Sequence, residues 1–363
     1  MGKGKGKGVY LMEFYWRVIL TVVCLGLVVI IHEYGHFLVA RYLGVRVERF
    51  TIGFGPEIFG WTMGNTRYAV CLMPLGGMVR LAGEYMDEHT NSPDEFFSQP
   101  WYRRIAIAAA GPAMNYVVAF VLFAVSAYVW GVIQPSAQPV IGEVLAGFPA
   151  AAAHVQPGDR VLSMDGVSVR NWQDLADRIH EKSGKNVTLE VRRKESAGPL
   201  EIFITPMTDP QRNVGVIGIL PEIEKVKVGF WGSMGISIKD IGAWTMQPIN
   251  YLSKKIRRWE GPKELSGPLG IAEMVSKATR EGLPYVIYLM AIISTGLGLF
   301  NIFPIPILDG GHIMLYTIEG IIRRPLSRRM MALANTIGLS ILLTLFIYAS
   351  YQDVLRLRLG LWR

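Results

Sequence analysis

The chain has 363 residues, of which 51% are hydrophobic and only 18% are charged. Soluble domains usually carry about a quarter charged residues, so this composition argues against an ordinary soluble enzyme and favours a membrane protein with one modest extramembrane domain. The net charge of +8 does not indicate a nucleic-acid partner, because the Lys and Arg residues are scattered or flank apolar runs. Two cysteines, Cys24 and Cys71, lie in different apolar stretches and imply no disulfide framework.

The N-terminal stretch is basic and rich in glycine. Residues 1–8 alternate Gly with Lys, and we interpret them as a flexible tail. A basic start followed by an apolar run is also typical of a secretory signal peptide. We favour a membrane span, because no small-residue cleavage site follows and cleavage would discard or strand the polar motif at residues 32–36.

Four apolar segments are long enough to cross a bilayer, which takes about 20 helical residues. They are residues 18–40, 105–133, 284–308 and 330–351. The sequence therefore predicts a membrane α-helical fold with four transmembrane helices. Arginines cluster between the first and second spans and between the third and fourth, which puts these loops in the cytoplasm by the positive-inside rule. The basic residues at both termini oppose this orientation.

The first apolar segment contains His32, Glu33 and His36 in the pattern His-Glu-x-x-His. Residues four apart lie on one face of a helix, so the two imidazoles can bind one metal ion while Glu33 lies beside them as a general base. Charged and polar groups inside a membrane span are costly unless they have a function. The motif therefore predicts a zinc hydrolase site within the membrane.

A zinc hydrolase site usually has three protein ligands and one position open to water. Because the first and third spans run in the same direction, the end of the third can lie at the depth of His32 and His36. Asp309 follows that span, after two prolines that break the helix, and we expect it to be the third ligand. His312 and Glu319 are the alternative third ligands.

Between the first two spans, residues 68–81 are apolar but too short for a spanning helix, and Pro74, Gly76 and Gly77 predict a tight turn between two short strands. We expect a β-hairpin over about 66–82 that dips into the bilayer with a free edge facing the metal. Such an edge can accept a substrate chain as an added strand. Alternatively, the hairpin merely caps the helices. The candidate substrate contacts on the hairpin are Leu72, Met73, Gly76 and Gly77.

Residues 138–225 are predicted to form one inserted α/β domain. Short apolar strands, glycine turns and a helix at 172–179 follow one another, and Pro-Gly-Asp at 157–159 with Asp-Gly at 165–166 resembles a PDZ domain. Residues 226–282 link this domain to the third span, and their first part predicts an amphipathic helix. That helix lies either on the membrane face or against the inserted domain.

Five short motifs stand out along the chain. They are His-Glu-Tyr-Gly-His at 32–36, Ile-Gly-Phe-Gly-Pro at 52–56, Gly-Pro-Ala-Met-Asn at 111–115, Ser-Gly-Pro-Leu-Gly-Ile at 266–271, and the run from Asn301 to Gly311 that contains Leu-Asp-Gly. Together with the PDZ-like domain they resemble the site-2 protease family of intramembrane zinc metalloproteases, in particular the bacterial branch that acts on anti-sigma factors. The resemblance implies a multi-pass protein of the bacterial inner membrane, with both termini and the PDZ domain in the periplasm and the active site near the cytoplasmic side.

For the site, the resemblance implies Zn²⁺ with three ligands and one catalytic carboxylate, which are His32, His36, Asp309 and Glu33. It also implies that the hairpin at 68–81 is a membrane-reentrant β-loop and that Asn301 contacts the substrate backbone. Asn115 matches a family asparagine too, and either a substrate contact or helix packing accounts for it. Many members of this branch carry two PDZ domains in tandem, whereas this chain has room for one, so we expect its gating of substrates to differ.

The expected function is hydrolysis of a peptide bond within the transmembrane segment of a single-span protein, such as an anti-sigma factor that another protease has already trimmed. The lipid bilayer is the other expected partner, and nucleic acid is not expected. The alternative is a non-catalytic, PDZ-bearing membrane scaffold with a structural metal site. Glu33 argues against it, since a structural site needs no base beside an open metal position. A metal transporter would place polar groups in several spans, but the second and fourth are almost purely apolar.

Overall fold

The computed structural model describes residues 5–85, 89–194, 196, 198–209, 213–258 and 267–358. Ser266, the first residue of the motif at 266–271, lies outside this part. The chain divides into two compact units. The helical unit comprises Met1–Val129 and Gly229–Arg363, and the inserted unit comprises Trp130–Val228.

The helical unit begins with helix α1 (Lys5–Tyr42), strands β1 (Val47–Met63) and β2 (Thr66–Leu81), and helix α2 (Trp101–Trp130). Because α1 starts at Lys5, residues 5–8 are helical, and the prediction of a flexible tail is wrong there. The chain continues from these residues into the apolar run without a break, and the helix of that run extends back over them. Residues 1–4 of the predicted tail are outside the described residues.

The stretch between the first two spans differs from the predicted hairpin. β1 and β2 form one antiparallel sheet, whose turn lies at residues 64–65 and not at 74–77. Phe50 of β1 pairs with both Tyr68 and Val79 of β2. The two halves of β2 therefore lie on either side of β1. The predicted pairing of these halves with each other is wrong, because β1 supplies the backbone hydrogen-bond partners of both.

The inserted unit contains ten strands and two helices in its described residues. In chain order they are β3 (Val132–Pro135), β4 (Ile141–Val144), α3 (Pro149–Ala152), β5 (Arg160–Met164), β6 (Val167–Ser168), α4 (Trp172–Glu181), β7 (Val187–Arg192), β8 (Leu200–Ile204), β9 (Met207–Thr208), β10 (Gly215–Val216), β11 (Ile219–Pro221) and β12 (Ile223–Val226). The largest sheet is antiparallel in the order β6-β5-β7-β8. Leu175 of α4 and Leu189 of β7 belong to one fully buried core. β12 pairs with β3, so the two ends of the unit lie side by side.

The helical unit resumes with α5 (Phe230–Arg257), α6 (Pro268–Glu281), α7 (Leu283–Ile302), α8 (Asp309–Ile322) and α9 (Arg328–Arg358). Helix α5 packs on α2 and α7. Ser237 Oγ donates to the Phe120 carbonyl at 2.7 Å, and Trp244 Nε1 donates to the Tyr288 hydroxyl at 3.3 Å. These contacts hold the linker helix against two of the spans.

Four helices of the described chain are long and apolar enough to cross a membrane. They cover Ile19–Tyr42, Trp101–Trp130, Leu283–Ile302 and Arg328–Arg356, and they confirm that each of the four predicted apolar segments forms a long apolar helix. The third ends six residues before the predicted boundary at 308, because Pro304 and Pro306 remove backbone donors and stop the helix. The next helix, α8, then begins at Asp309.

Candidate metal centre

Helix α1 carries His32 and His36 one turn apart, and their ring centroids lie 4.9 Å from each other. His36 Nδ1 lies 2.8 Å from the Ile107 carbonyl oxygen of α2. Because a carbonyl can only accept, Nδ1 carries the proton and donates it. In the neutral ring this leaves the lone pair on Nε2, which lies 3.3 Å from His32 Nε2.

Asp309 reaches the two histidines from the first turn of α8. Its Oδ2 lies 3.1 Å from His32 Nε2, and its Oδ1 lies 3.4 Å from His36 Nε2. Ile307, two residues before it, has a φ of 80°, which is a strained conformation for a β-branched residue. Backbone strain of this kind is typical of functional sites, where the surrounding structure holds it in place.

The two histidines and Asp309 form a donor set that fits zinc. One ligand atom from each of the three lies within 4.8 Å of the others. Two imidazole nitrogens with one carboxylate oxygen make a frequent ligand set of catalytic zinc, with a further position open. Of the two alternative third ligands, Glu319 is paired with Arg104 at 2.6 Å, and His312 lies outside the group of three.

Two glycines allow α2 to approach α1 at the site. A Cβ atom on Gly111 would overlap His36 Nε2 and lie 2.8 Å from His32 Cε1. A Cβ atom on Gly35 would overlap the carbonyl oxygen of Ala110. Small residues at helix interfaces let backbones come close together, and here they also leave room for the imidazole rings.

Glu33 faces the end of β2. A Cβ atom on Gly77 would lie 3.3 Å from Glu33 Cγ, so the strand passes directly beside this carboxylate. The Val79 N–H donates to Glu33, and the Leu81 N–H donates to Glu84 Oε2 at 3.1 Å. The other side of this segment pairs with β1. The end of β2 therefore turns a row of main-chain donors towards the site.

The two histidines, Glu33 and Asp309 line a cavity of about 520 Å³. This volume is in the range of small-molecule and substrate sites. Burial raises the pKa of the Glu84 carboxyl, which lines the same cavity. The charged, imidazole and amide side chains of the cavity wall are His32, Glu33, His36, Glu84, Asn301, Asp309, His312 and Asn335. Proton acceptors, metal ligands and amide groups thus share one space.

The four hairpin residues predicted to contact substrate occupy different environments. Leu72 and Met73 are exposed, with 61% and 50% of their surface accessible. Gly76 and Gly77 are buried, and a Cβ atom on Gly76 would lie 2.7 Å from the Phe54 ring. Only Gly77 among the four therefore lies directly beside the general-base candidate.

The two predicted asparagines lie on opposite sides of one metal-ligand candidate. Asn301 lines the cavity, and its Nδ2 lies 3.5 Å from His32 Nε2. Asn115 is fully buried, and its Nδ2 lies 3.0 Å from His32 Nδ1. Asn301 is thus open to a substrate, whereas Asn115 lies behind the imidazole ring.

Three groups that shape the site were not predicted as site residues. Gly111 lies in a motif, and the glycine itself was the available signal. The Ile107 carbonyl left no signal, because main-chain groups do not appear in a side-chain pattern. Glu84 is a carboxylate just after an apolar strand, and that position in the sequence was the available signal.

Sequence comparisons match the chain, over most of its length, to a peptidase family and to proteins named as proteases. The family profile described as Peptidase family M50 matches residues 20–345. A protein of Mesorhizobium japonicum that carries the name of a zinc metalloprotease is 33% identical over 357 residues, covering 91% of this chain and 96% of its own. A similarly named protein of Rhizobium meliloti is 32% identical, covering 91% of this chain and 94% of its own.

Two further similarities are more distant. The regulator of sigma-W protease RasP of Bacillus subtilis is 28% identical, covering 95% of this chain and 99% of its own. Among solved structures, the PDZ domain of the SdrC-like protein of Listeria monocytogenes is 23% identical, with a TM-score of 0.20, and covers 22% of this chain and 82% of its own.

Proposed function

Because the chain belongs to Peptidase family M50, we propose that it hydrolyses a peptide bond within the transmembrane segment of a single-span membrane protein. The enzyme is a zinc metalloprotease of the site-2 type. The observation that carries the proposal is the meeting of His32, His36 and Asp309 beside Glu33, with both histidines on the helix Ile19–Tyr42 that is apolar enough to span a membrane. A catalytic group at that depth has membrane-embedded chains as its nearest substrates.

The substrate class that we propose is an anti-sigma factor whose outer domain another protease has removed. The relative in Bacillus subtilis supports this class, since its name ties it to the regulation of sigma-W. We further propose that the chain lies in the bacterial inner membrane. The arginine-rich loops would be cytoplasmic, and the inserted unit would be a PDZ-like domain in the periplasm.

The end of β2 would hold the substrate as an added strand, with β1 and β2 acting as a membrane-reentrant β-loop. A helical carbonyl is already hydrogen-bonded, so the substrate must unwind before it can be cut. Val79 and Leu81 donate to carboxylates on the cavity side, and substrate carbonyls would take over these donors. Asn301, which lines the cavity, would bind the substrate backbone next to the scissile bond.

Zinc held by His32, His36 and Asp309 would act as a Lewis acid: it would polarise the scissile carbonyl and lower the pKa of the attacking water, so that the water loses a proton more easily. Glu33 would take the proton of the attacking water and deliver it to the leaving nitrogen. The hydrogen bond from His36 Nδ1 to the Ile107 carbonyl keeps that ring in the tautomer a ligand needs. The polar cavity would admit the water that hydrolysis consumes.

Reconstitution with a model transmembrane substrate tests the proposal. The unchanged protein should cleave the substrate, whereas Glu33→Gln should retain zinc and lose activity by about 100-fold or more, as expected for a missing general base. Equal cleavage by both proteins, or zinc retention without any cleavage by the unchanged protein, would refute the proposed reaction.

Metal content tests the ligand assignment separately. We expect Asp309→Ala to lose zinc, because it removes one of three ligands, and His312→Ala to keep most of it. The reverse order of zinc content would make His312 the third ligand.

A further inference from the structure

Asn115 occupies an unusual position for a polar side chain in an apolar span. It is 0% exposed, and its main-chain carbonyl accepts a hydrogen bond from Ser294 Oγ of α7 at 2.8 Å. Its carboxamide contacts His32 Nδ1 at 3.0 Å. The other carboxamide atom, Oδ1, is buried without a hydrogen-bond partner among the described residues. Buried amides are rarely left half-satisfied, so this group calls for an explanation.

The chemistry of His32 supplies one. With Nδ2 against His32 Nδ1, the ring nitrogen must accept, and the neutral imidazole then carries its proton on Nε2. A protonated Nε2 has no lone pair for a metal ion. Nε2 is nevertheless the atom that approaches Asp309 Oδ2 at 3.1 Å and His36 Nε2 at 3.3 Å. Donation by Asn115 and zinc binding by His32 therefore exclude each other.

A half-turn of the carboxamide removes the conflict. It exchanges Oδ1 and Nδ2 with hardly any change in the shape of the side chain. Oδ1 then accepts the Nδ1–H of His32, and the Nε2 lone pair faces the metal site. His36 already has this arrangement, since its Nδ1 donates to the Ile107 carbonyl at 2.8 Å. The unexchanged orientation leaves Oδ1 without a hydrogen-bond partner among the described residues, so the needs of the histidine decide between the two.

We propose that Asn115 is a positioning residue for zinc: its Oδ1 accepts the Nδ1–H of His32 and thereby holds that ring in the tautomer whose Nε2 binds the metal ion. The hydrogen bond to Ser294 fixes the backbone of Asn115 between α2 and α7. The two histidine ligands would then have matched supports from α2, a side-chain carbonyl for His32 and a main-chain carbonyl for His36.

This role differs from a substrate contact. Asn115 is fully buried and is absent from the cavity wall, whereas Asn301 lines it. A residue behind the ring acts on zinc affinity before any substrate binds. The inference rests on the proposed function, since it takes His32 as a zinc ligand, but its readout is metal binding and not proteolysis.

The test compares the zinc affinity of purified full-length variants in detergent, measured by competition with a chelator. Asn115→Asp keeps the shape and has only acceptor oxygens, so it should bind zinc at least as tightly as the unchanged protein. Asn115→Leu has no acceptor and should lose about 10- to 100-fold in zinc affinity, the usual effect of removing such a support. If Asn115 acted as a donor, it would oppose zinc binding by His32, and Asn115→Leu would instead bind zinc at least as tightly as the unchanged protein.

Two controls separate this role from general damage. Thr295→Val changes another fully buried polar residue, whose hydroxyl donates to the Ala291 carbonyl of its own helix, and should leave zinc affinity within about twofold. Asp309→Ala tests the ligand set independently, and zinc retention there would point to a failed ligand assignment. The inference would be overturned if Asn115→Asp lost zinc affinity while Asp309→Ala lost zinc as expected. It would also be overturned if Asn115→Leu kept full zinc affinity. If Asn115→Leu does not fold, the outcome for Asn115→Asp decides alone.

Discussion

At the residue scale, the site depends as much on missing side chains as on those present. His32 and His36 lie on α1, but the space that their rings occupy exists because α2 carries Gly111 opposite them. Their spacing made the histidines predictable from the sequence. The effect of Gly111 was not, because it depends on which helix packs against α1, and a pattern within one segment carries no information about its neighbour.

We expect Gly111→Ala to lower zinc affinity by about 10- to 100-fold and to reduce proteolysis with it. The added methyl group would overlap His36 Nε2 and press on His32 Cε1, and overpacking of this kind costs about 1–3 kcal/mol. Gly296→Ala is the matched control, since a Cβ atom there meets no described atom within 4 Å. Equal zinc affinity of the two variants in a chelator competition would contradict this account of Gly111.

At the element scale, α8 is the part that brings Asp309 to α1, and its far end is held by a buried ion pair. Arg104 Nη2 of α2 lies 2.6 Å from Glu319 Oε2 of α8, and both residues are buried. Glu319 Oε1 also accepts the Leu326 N–H at 2.8 Å. Arg104 stacks over the Tyr316 ring of α8, 4.7 Å from its centroid. These contacts hold α8 against the start of α2.

Arg104→Met should destabilise the protein by about 3–5 kcal/mol, because it leaves a buried carboxylate without its partner. In the double variant Arg104→Met with Glu319→Gln, the buried carboxylate is replaced by a neutral amide. The oxygen of that amide can still accept the Leu326 N–H, so most of the lost stability should return. Unfolding in a mixed-detergent titration measures both variants. If Arg104→Met alone lowers the free energy of unfolding by less than about 1 kcal/mol, the ion pair does not hold α8 in place.

The β1–β2 sheet shows why an element can be predicted and its partner missed. The apolar run that became β2 was recognised from its composition. β1 was not predicted as a strand, and it contains Gly53, Gly55 and Pro56, residue types that are depleted in strands. In the structure both glycines have positive φ, 86° and 91°, and the register between β1 and β2 shifts there. Pairing between β1 and the two halves of β2 is a tertiary outcome that local sequence does not specify.

At the scale of the whole molecule, the inserted unit interrupts the sequence of the helical unit between α2 and α5, and its last strand lies beside its first. Val132 of β3 pairs with Val226 of β12, so the two ends meet in one sheet. Adjacent ends are typical of domains that are inserted into other folds. The order of spans and inserted domain was predictable from hydropathy and turn residues, whereas this closing pair of strands was too short to recognise.

We expect the isolated fragment Trp130–Val228 to fold cooperatively, because its core and both closing strands lie within it. Circular dichroism during thermal unfolding should show one transition from a strand-rich state. A matched fragment that ends at residue 222 and so lacks β12 should melt at lower temperature. An unfolded Trp130–Val228 fragment would mean that the unit depends on the rest of the chain.

The most direct test of the proposed function is to locate the bond that is cut. A single-span substrate and the enzyme would be reconstituted in the same proteoliposomes, and the products would be mapped by mass spectrometry, with Glu33→Gln as the control. The account predicts a cut inside the apolar segment of the substrate by the unchanged enzyme and none by the variant. Cuts confined to the substrate's water-exposed segments, or the same cut by Glu33→Gln, would contradict it.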